Sequence, residues 1–164
     1  STLAYMAAKK DNRVKSATLF TTMVDFSEPG ELGVFIDEEQ LQRLDEHMEK
    51  TGFLDGQYMS QVFNMMRDND LIWSFVVNNH LMGRKPMAFD LLYWNSDNTR
   101  MPKMMHSLYL QKMYFENKLV EPGGITMGEV LIDLTKIKTP VYWLSTKNDH
   151  IAPWKSTFMA TQLY

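Results

Sequence analysis

Cysteine is missing altogether from these 164 residues. Its absence rules out disulfides, thiolate zinc sites and a cysteine nucleophile supplied by the chain itself. Long apolar runs are missing too, and none approaches the ~20 residues needed to cross a bilayer. There is no excess of positive charge: 17 Lys and Arg stand against 20 Asp and Glu, a formal net charge of −3. A nucleic-acid partner, which calls for a basic face, is therefore not expected. Ser1 to Lys10 lacks the basic-then-apolar pattern of a secretory leader, so the expected location is the cytoplasm. His47, His80 and His106 are scattered without metal-ligand spacing, so no metal site is expected. Pro122-Gly123-Gly124 reads as a turn rather than a phosphate-cradling loop, and no cofactor is expected.

What is present is an ordinary globular composition, 45% hydrophobic and 23% charged, long enough for a domain with a real core. Fourteen methionines are many for this length, and they cluster between Met48 and Met127. Methionine is flexible and polarisable, which suits irregular cores and equally suits an adaptable apolar cleft.

Along the chain, Thr2 to Lys9 reads as the back half of a helix broken by Asp11-Asn12. Val14 to Phe26 is rich in Val, Leu, Phe and Thr and apolar on both faces near its middle, the pattern of a buried strand in a parallel sheet. Asp37 can cap a helix with Leu41, Leu44 and Met48 on one face, ended by Gly52. Tyr58, Met59, Val62, Phe63 and Met66 mark a second helix. Asn69 can cap a third, Asp70 to Leu81, which is apolar nearly all round and is expected to be buried. A fourth should run from Pro102 to about Leu119. Ile125–Met127 and Val130–Ile132, joined by Gly128-Glu129, read as a hairpin. Val141 to Leu144 follows Pro140 as a second buried strand, and Pro153 opens a last helix. The expected architecture is therefore α/β. Residues 1–26 and 139–164 should belong to one sheet-based core, with a mainly helical insertion, 27–138, between two of its strands.

In open α/β sheets, functional groups gather at the carboxyl ends of strands. Asp149 lies just past such an end, with His150 beside it. Spacing alone leaves two readings open: a catalytic acid in a late loop, as in α/β-hydrolases, or a turn residue that caps the helix near Pro153.

The stretch Ser145 to Trp154 (STKNDHIAPW) closely resembles the triad-acid segment of class I polyhydroxyalkanoate synthases. Four other blocks resemble the same family in the same order: Thr22 to Gly30, Asp68 to Trp73, Phe89 to Asp97 and Glu121 to Thr126. Lys147-Asn148 departs from an expected Arg-Glu pair, and His80 from an expected tyrosine. The resemblance implies an α/β-hydrolase fold with a helical cap. It implies transfer of 3-hydroxyacyl groups from coenzyme A to a growing polyester through a Cys-His-Asp triad. Asp149 would be the triad acid, with the cysteine expected upstream of Ser1 and the histidine beyond Tyr164. Trp94 is implied near the substrate entry, and His150, beside the acid, is a substrate-binding candidate. The implied partners are a 3-hydroxyacyl-CoA substrate, the polyester product, a second copy bound through the cap and the polyester granule surface.

Two other readings remain open. Another α/β-hydrolase, such as a thioesterase, lipase or polyester depolymerase, would share the fold signals. Alternatively, the methionine-rich and aromatic helices would serve as a dimerisation or granule-surface module.

Overall fold

The computed structural model of the protein describes residues 1–86, 90, 93, 97 and 99–164. Helices and strands are mixed, as an α/β reading requires, and the chain divides into two compact units. The first comprises Ser1–Leu44 with Ser107–Tyr164, the second Asp45–His106.

In the first unit, helix α1 (Thr2–Ala8) leads to strand β1 (Ala17–Phe20). β1 pairs in parallel with the strand Val141–Leu144, in register from Ala17 opposite Val141 to Phe20 opposite Leu144. The two segments thus share a sheet, as their sequences suggest. β1 is nevertheless much shorter than Val14 to Phe26. Thr21 still donates its N–H to the Leu144 carbonyl (2.7 Å), but then takes a positive φ of 45° that turns the chain out of the sheet. A β-branched residue resists that conformation.

Burial of the strands on both faces is also corrected. Residues alternate between half-buried and exposed along both, and Phe20 is 66% and Tyr142 64% exposed. The described residues cover one side of this two-stranded sheet, so only that side is removed from solvent.

The core of the first unit forms around α1, the antiparallel hairpin Ile125–Met127 with Val130–Ile132, and the segment Met23–Phe26. α1 packs on the second hairpin strand and on the 3-10 turn Leu134–Lys136. Ala4, Val24, Ile125, Ile132, Leu134 and Ile137 are buried there. Each large aliphatic side chain so buried contributes roughly 1.5–3 kcal/mol. Gly128 opens the hairpin turn at φ +59°, where glycine avoids a Cβ clash. Phe26, Tyr109 and Tyr114 interlock, with ring centroids 4.7–6.2 Å apart and edge-to-face or tilted planes. The helix from Lys103 ends at Phe115, short of Leu119, because Asn117 adopts left-handed backbone.

Asp37 caps helix α2 (Glu38–Thr51), accepting the Gln40 N–H at 2.8 Å. In the second unit, Phe53–Leu54 pairs antiparallel with Met101–Pro102. The Lys103 ammonium bridges Asp45 and Glu49. Helix α3 (Gly56–Met66) is capped by Asp55, which accepts from the Gln57 N–H. The third helix is capped by Asp68 rather than Asn69 and starts at Asn69: the Asp68 carboxylate accepts the Asn69 N–H at 2.8 Å. It winds largely with wide π-type turns over Asn69–Trp73 and Val76–Leu81.

Its expected burial is not found. Leu71, Ile72, Trp73, Phe75, Val77 and Leu81 are all exposed. An all-round apolar helix needs neighbours on every side, and the described residues cover these groups only in part, leaving 36–75% of each exposed. The methionines divide likewise: Met48 and Met113 are buried, whereas Met65, Met82, Met104 and Met105 are exposed.

His106 is 1% exposed, with neither ring nitrogen hydrogen-bonded among the described residues. Burial holds its pKa below the ordinary value of 6.5, because the charged imidazolium would be desolvated. The neutral form is thus the one the fold accepts, and the stability tied to it is full above pH 6.5. It is lost as pH falls from there toward the lowered folded value. We expect the melting temperature to drop between about pH 7.5 and pH 5.5, and the drop to shrink in His106→Leu. Equal drops in parent and variant, followed by circular dichroism, would remove His106 from the account.

Candidate functional site

The site forms where the carboxyl ends of the parallel strands Ala17–Phe20 and Val141–Leu144 open into loops. Asp149 is half-buried in the second of these loops, ahead of the helix Trp154–Met159. Its Oδ1 accepts the N–H groups of Ile151 (3.0 Å) and Ala152 (2.8 Å). Oδ2 has no hydrogen-bond partner among the described residues. One carboxylate oxygen is therefore spent on holding the loop, while the other keeps its lone pairs for a further donor. The turn role and an acid role read from the sequence are compatible in this geometry, because they use different oxygens.

The loop is braced by a segment distant in sequence. The His150 carbonyl accepts the Glu31 N–H at 3.3 Å, and the Ser156 hydroxyl donates to the Glu28 carbonyl at 2.8 Å. Gly30 sits between them at φ +68°. A Cβ there would lie 2.6 Å from the His150 carbonyl oxygen and 3.1 Å from Pro153 Cγ. Only glycine permits both the backbone conformation and the approach.

That bracing segment is itself clamped. Asn117 accepts the Phe26 N–H through Oδ1 and donates through Nδ2 to Asp25, both at 2.9 Å. Burial pushes the Asp25 carboxyl up, but its bonds from Ser27 and Asn117 outweigh that and leave it below the usual range. Thr21, strained at the end of the first strand, lies at the same carboxyl edge of the sheet. Residues held in such backbone regions cost ~1–3 kcal/mol and collect at functional sites.

Two of the blocks noted in the sequence, Thr22 to Gly30 and Ser145 to Trp154, are thus brought together. His150 is half-buried beside Asp149, yet no hydrogen bond joins their side chains among the described residues. Trp94 lies outside the described residues. His106 belongs to the other compact unit. Sequence reasoning missed Asn117, Ser156 and the bracing role of Gly30. The Pro29-Gly30 pair carried a turn signal, but nothing in the sequence announced that its partner would be the distant His150.

Among the described residues, no group of three or more His, Asp or Glu side chains could hold a metal ion. No described helix is long and apolar enough to cross a membrane.

A parallel strand pair within a mixed helix and strand framework, with a half-buried acid on a braced loop past one strand end, is compatible with an α/β fold. Comparison with known proteins makes this more specific. No family model matches the chain. It is 53% identical over 157 residues, 96% of its length, to a poly(3-hydroxyalkanoate) polymerase of Methylorubrum extorquens. It is 49% identical over its full length to a poly(3-hydroxyalkanoate) polymerase subunit PhaC of Rhizobium meliloti. It is 37% identical over 98% of its length to the subunit of that name from Cupriavidus necator. The chain spans about a quarter of the length of these curated relatives, 26–28%. Over nearly its whole length it is thus similar to one part of poly(3-hydroxyalkanoate) polymerases.

Proposed function

We propose that this chain is part of the catalytic domain of a polyhydroxyalkanoate synthase, to which it contributes the triad acid, Asp149. The observation that carries the reading is the divided use of the Asp149 carboxylate. Oδ1 is committed to the Ile151 and Ala152 N–H groups, and Oδ2 is left to accept from an imidazole.

In the proposed reaction a cysteine outside this chain loses its proton to a histidine, also outside it. The thiolate then attacks the thioester carbonyl of a 3-hydroxyacyl-CoA. The carbon–sulfur bond to coenzyme A breaks, coenzyme A leaves as its thiol, and the acyl group remains on the cysteine. A hydroxyl group then gives its proton to the histidine and attacks the acyl-enzyme, so the polyester grows by one unit and the thiol is restored. Asp149 does not take up a proton. It fixes the imidazole tautomer and stabilises the imidazolium formed in each step.

The parallel pairing of the two strands and the site at their carboxyl ends support an α/β-hydrolase core. In this reading residues 27–138 form its helical cap, Trp94 borders the substrate entry, and His150 contacts substrate. The exposed apolar groups from Leu71 to Met82, with Met104 and Met105, support a contact role for the cap. The surface offered is suited to a second copy of the protein or to the polyester granule, in the cytoplasm.

The test separates the chain from its parent. Full-length protein should release coenzyme A from 3-hydroxybutyryl-CoA and form polymer. The 164-residue chain alone, which has no cysteine, should release none above background. Thiol release by the chain alone at a rate near the parent's would exclude a cysteine route.

A further inference from the structure

At the opposite edge of the sheet from Asp149, a cleft of about 480 Å³ opens beside the starts of the two parallel strands. It lies wholly within the first compact unit. Lys10, Lys15, Lys136 and Lys138 line it, with Asp11 as the one acid. That acid is already neutralised, since Arg13 grips both its oxygens at 2.7–3.0 Å. Lys136 faces Asp133 at 3.4 Å. Lys10, Lys15 and Lys138 have no carboxylate within ion-pair distance among the described residues.

Three unpaired ammonium groups around one cleft are unexpected in a chain of net charge −3. All three are exposed, so water and salt screen their mutual repulsion, and a multivalent anion would gain by contacting them together. Lys10 has a partial structural explanation, because it follows the carboxyl end of α1 and a cation there complements the helix dipole. Lys15 and Lys138 precede strands and have no such role. The rest of the lining is mixed: Leu3, Met6, Val14 and Pro140 are apolar, while Asn12 and Thr139 can hydrogen-bond. Its volume lies within the ~300–1,000 Å³ range of small-ligand sites and is too small for a folded partner.

We propose that this cleft binds a small ligand carrying two or more phosphate groups, such as a polyphosphate or a nucleoside triphosphate. Clustered phosphates supply several negative charges within the reach of three lysines, and lysine serves as a point charge for them. An apolar lining beside the charges would take a nucleobase. The site is separate from the Asp149 loop, because the first borders the amino ends of the strands and the second their carboxyl ends. Binding here therefore leaves the catalytic edge free, and the proposal does not rest on the synthase reading.

The experiment uses the full-length protein, with tripolyphosphate, ATP, adenosine and a short poly-glutamate as probes. Lysine acetylation read by mass spectrometry should show Lys10, Lys15 and Lys138 protected by tripolyphosphate and ATP, but not by adenosine. Equal protection assigns free polyphosphate, and stronger protection by ATP assigns a nucleotide. By calorimetry, the double variant Lys15→Gln/Lys138→Gln should bind the preferred probe at least about tenfold more weakly, having lost two charge-assisted contacts. Unchanged labelling of the three lysines in the wild-type protein would overturn the proposal without any variant. So would an unchanged affinity in the folded double variant. Protection by poly-glutamate alone would assign the cleft to an acidic peptide and equally reject phosphate.

Discussion

Asp149→Asn, made in the full-length protein, should cut polymer formation by a factor on the order of 10²–10³ while leaving the fold intact. The amide is nearly isosteric, and its Oδ1 can still accept from the Ile151 and Ala152 N–H groups that shape the loop. The change falls on the other atom. With that oxygen kept in place, an NH2 donor stands where Oδ2, which has no partner among the described residues, would accept. It cannot accept from an imidazole N–H or stabilise an imidazolium as a carboxylate does. The comparable change in a serine protease costs ~10⁴ in turnover, and a thiol, being more acidic than an alcohol, leans less on its base.

The two half-reactions should respond unequally. Acylation starts from a thiol that ionises with modest help. Elongation must deprotonate an alcohol and therefore depends more on the oriented histidine. Single-turnover release of coenzyme A should thus fall less than steady-state polymer formation. Near-normal rates in both would reduce Asp149 to a turn residue, and the triad role would have to be withdrawn.

The parts of this fold legible in the sequence are those set by local chemistry. Asp37 ahead of an amphipathic run announces α2, and Gly128 between two short apolar runs announces the hairpin. Val141–Leu144 is visible as a strand because Pro140 and a polar loop bound it on either side. What sequence does not supply is the environment of each element. The pattern from Asp70 to Leu81 is that of a helix with neighbours all round, yet periodicity records a preference for burial, not whether a partner is there to satisfy it. β1 is shorter than its pattern for a related reason. Val24 and Phe26 are buried and apolar as in a strand, but they enter the core from irregular backbone beyond the strained Thr21. The site divides the same way. Asp149 stands out by its place after a strand. Its braces, Gly30, Asn117 and Ser156, act across 91 to 128 residues of chain, and nothing local in the sequence announces their partners.

Gly30→Ala should be nearly as damaging to activity as the loss of the acid itself, although residue 30 carries no chemistry. Two penalties combine there. A residue with a Cβ held at φ +68° costs roughly 1–2 kcal/mol in backbone conformation. The second is steric: the added carbon would lie 2.6 Å from the His150 carbonyl oxygen, so the Asp149 loop or the Glu28–Glu31 segment must move. A displacement of ~1 Å at a catalytic group can cost about 10² in rate. Gly52→Ala provides the control. Gly52 has φ +76°, but a methyl group added there would meet nothing within 4 Å, so it bears the backbone penalty without the clash. Both variants of the full-length protein should melt at somewhat lower temperature, whereas only Gly30→Ala should lose turnover by about two orders of magnitude. Equal turnover in the two variants would show that the approach of Gly30 to His150 does not position the acid, and the bracing of the loop would then be a matter of stability alone.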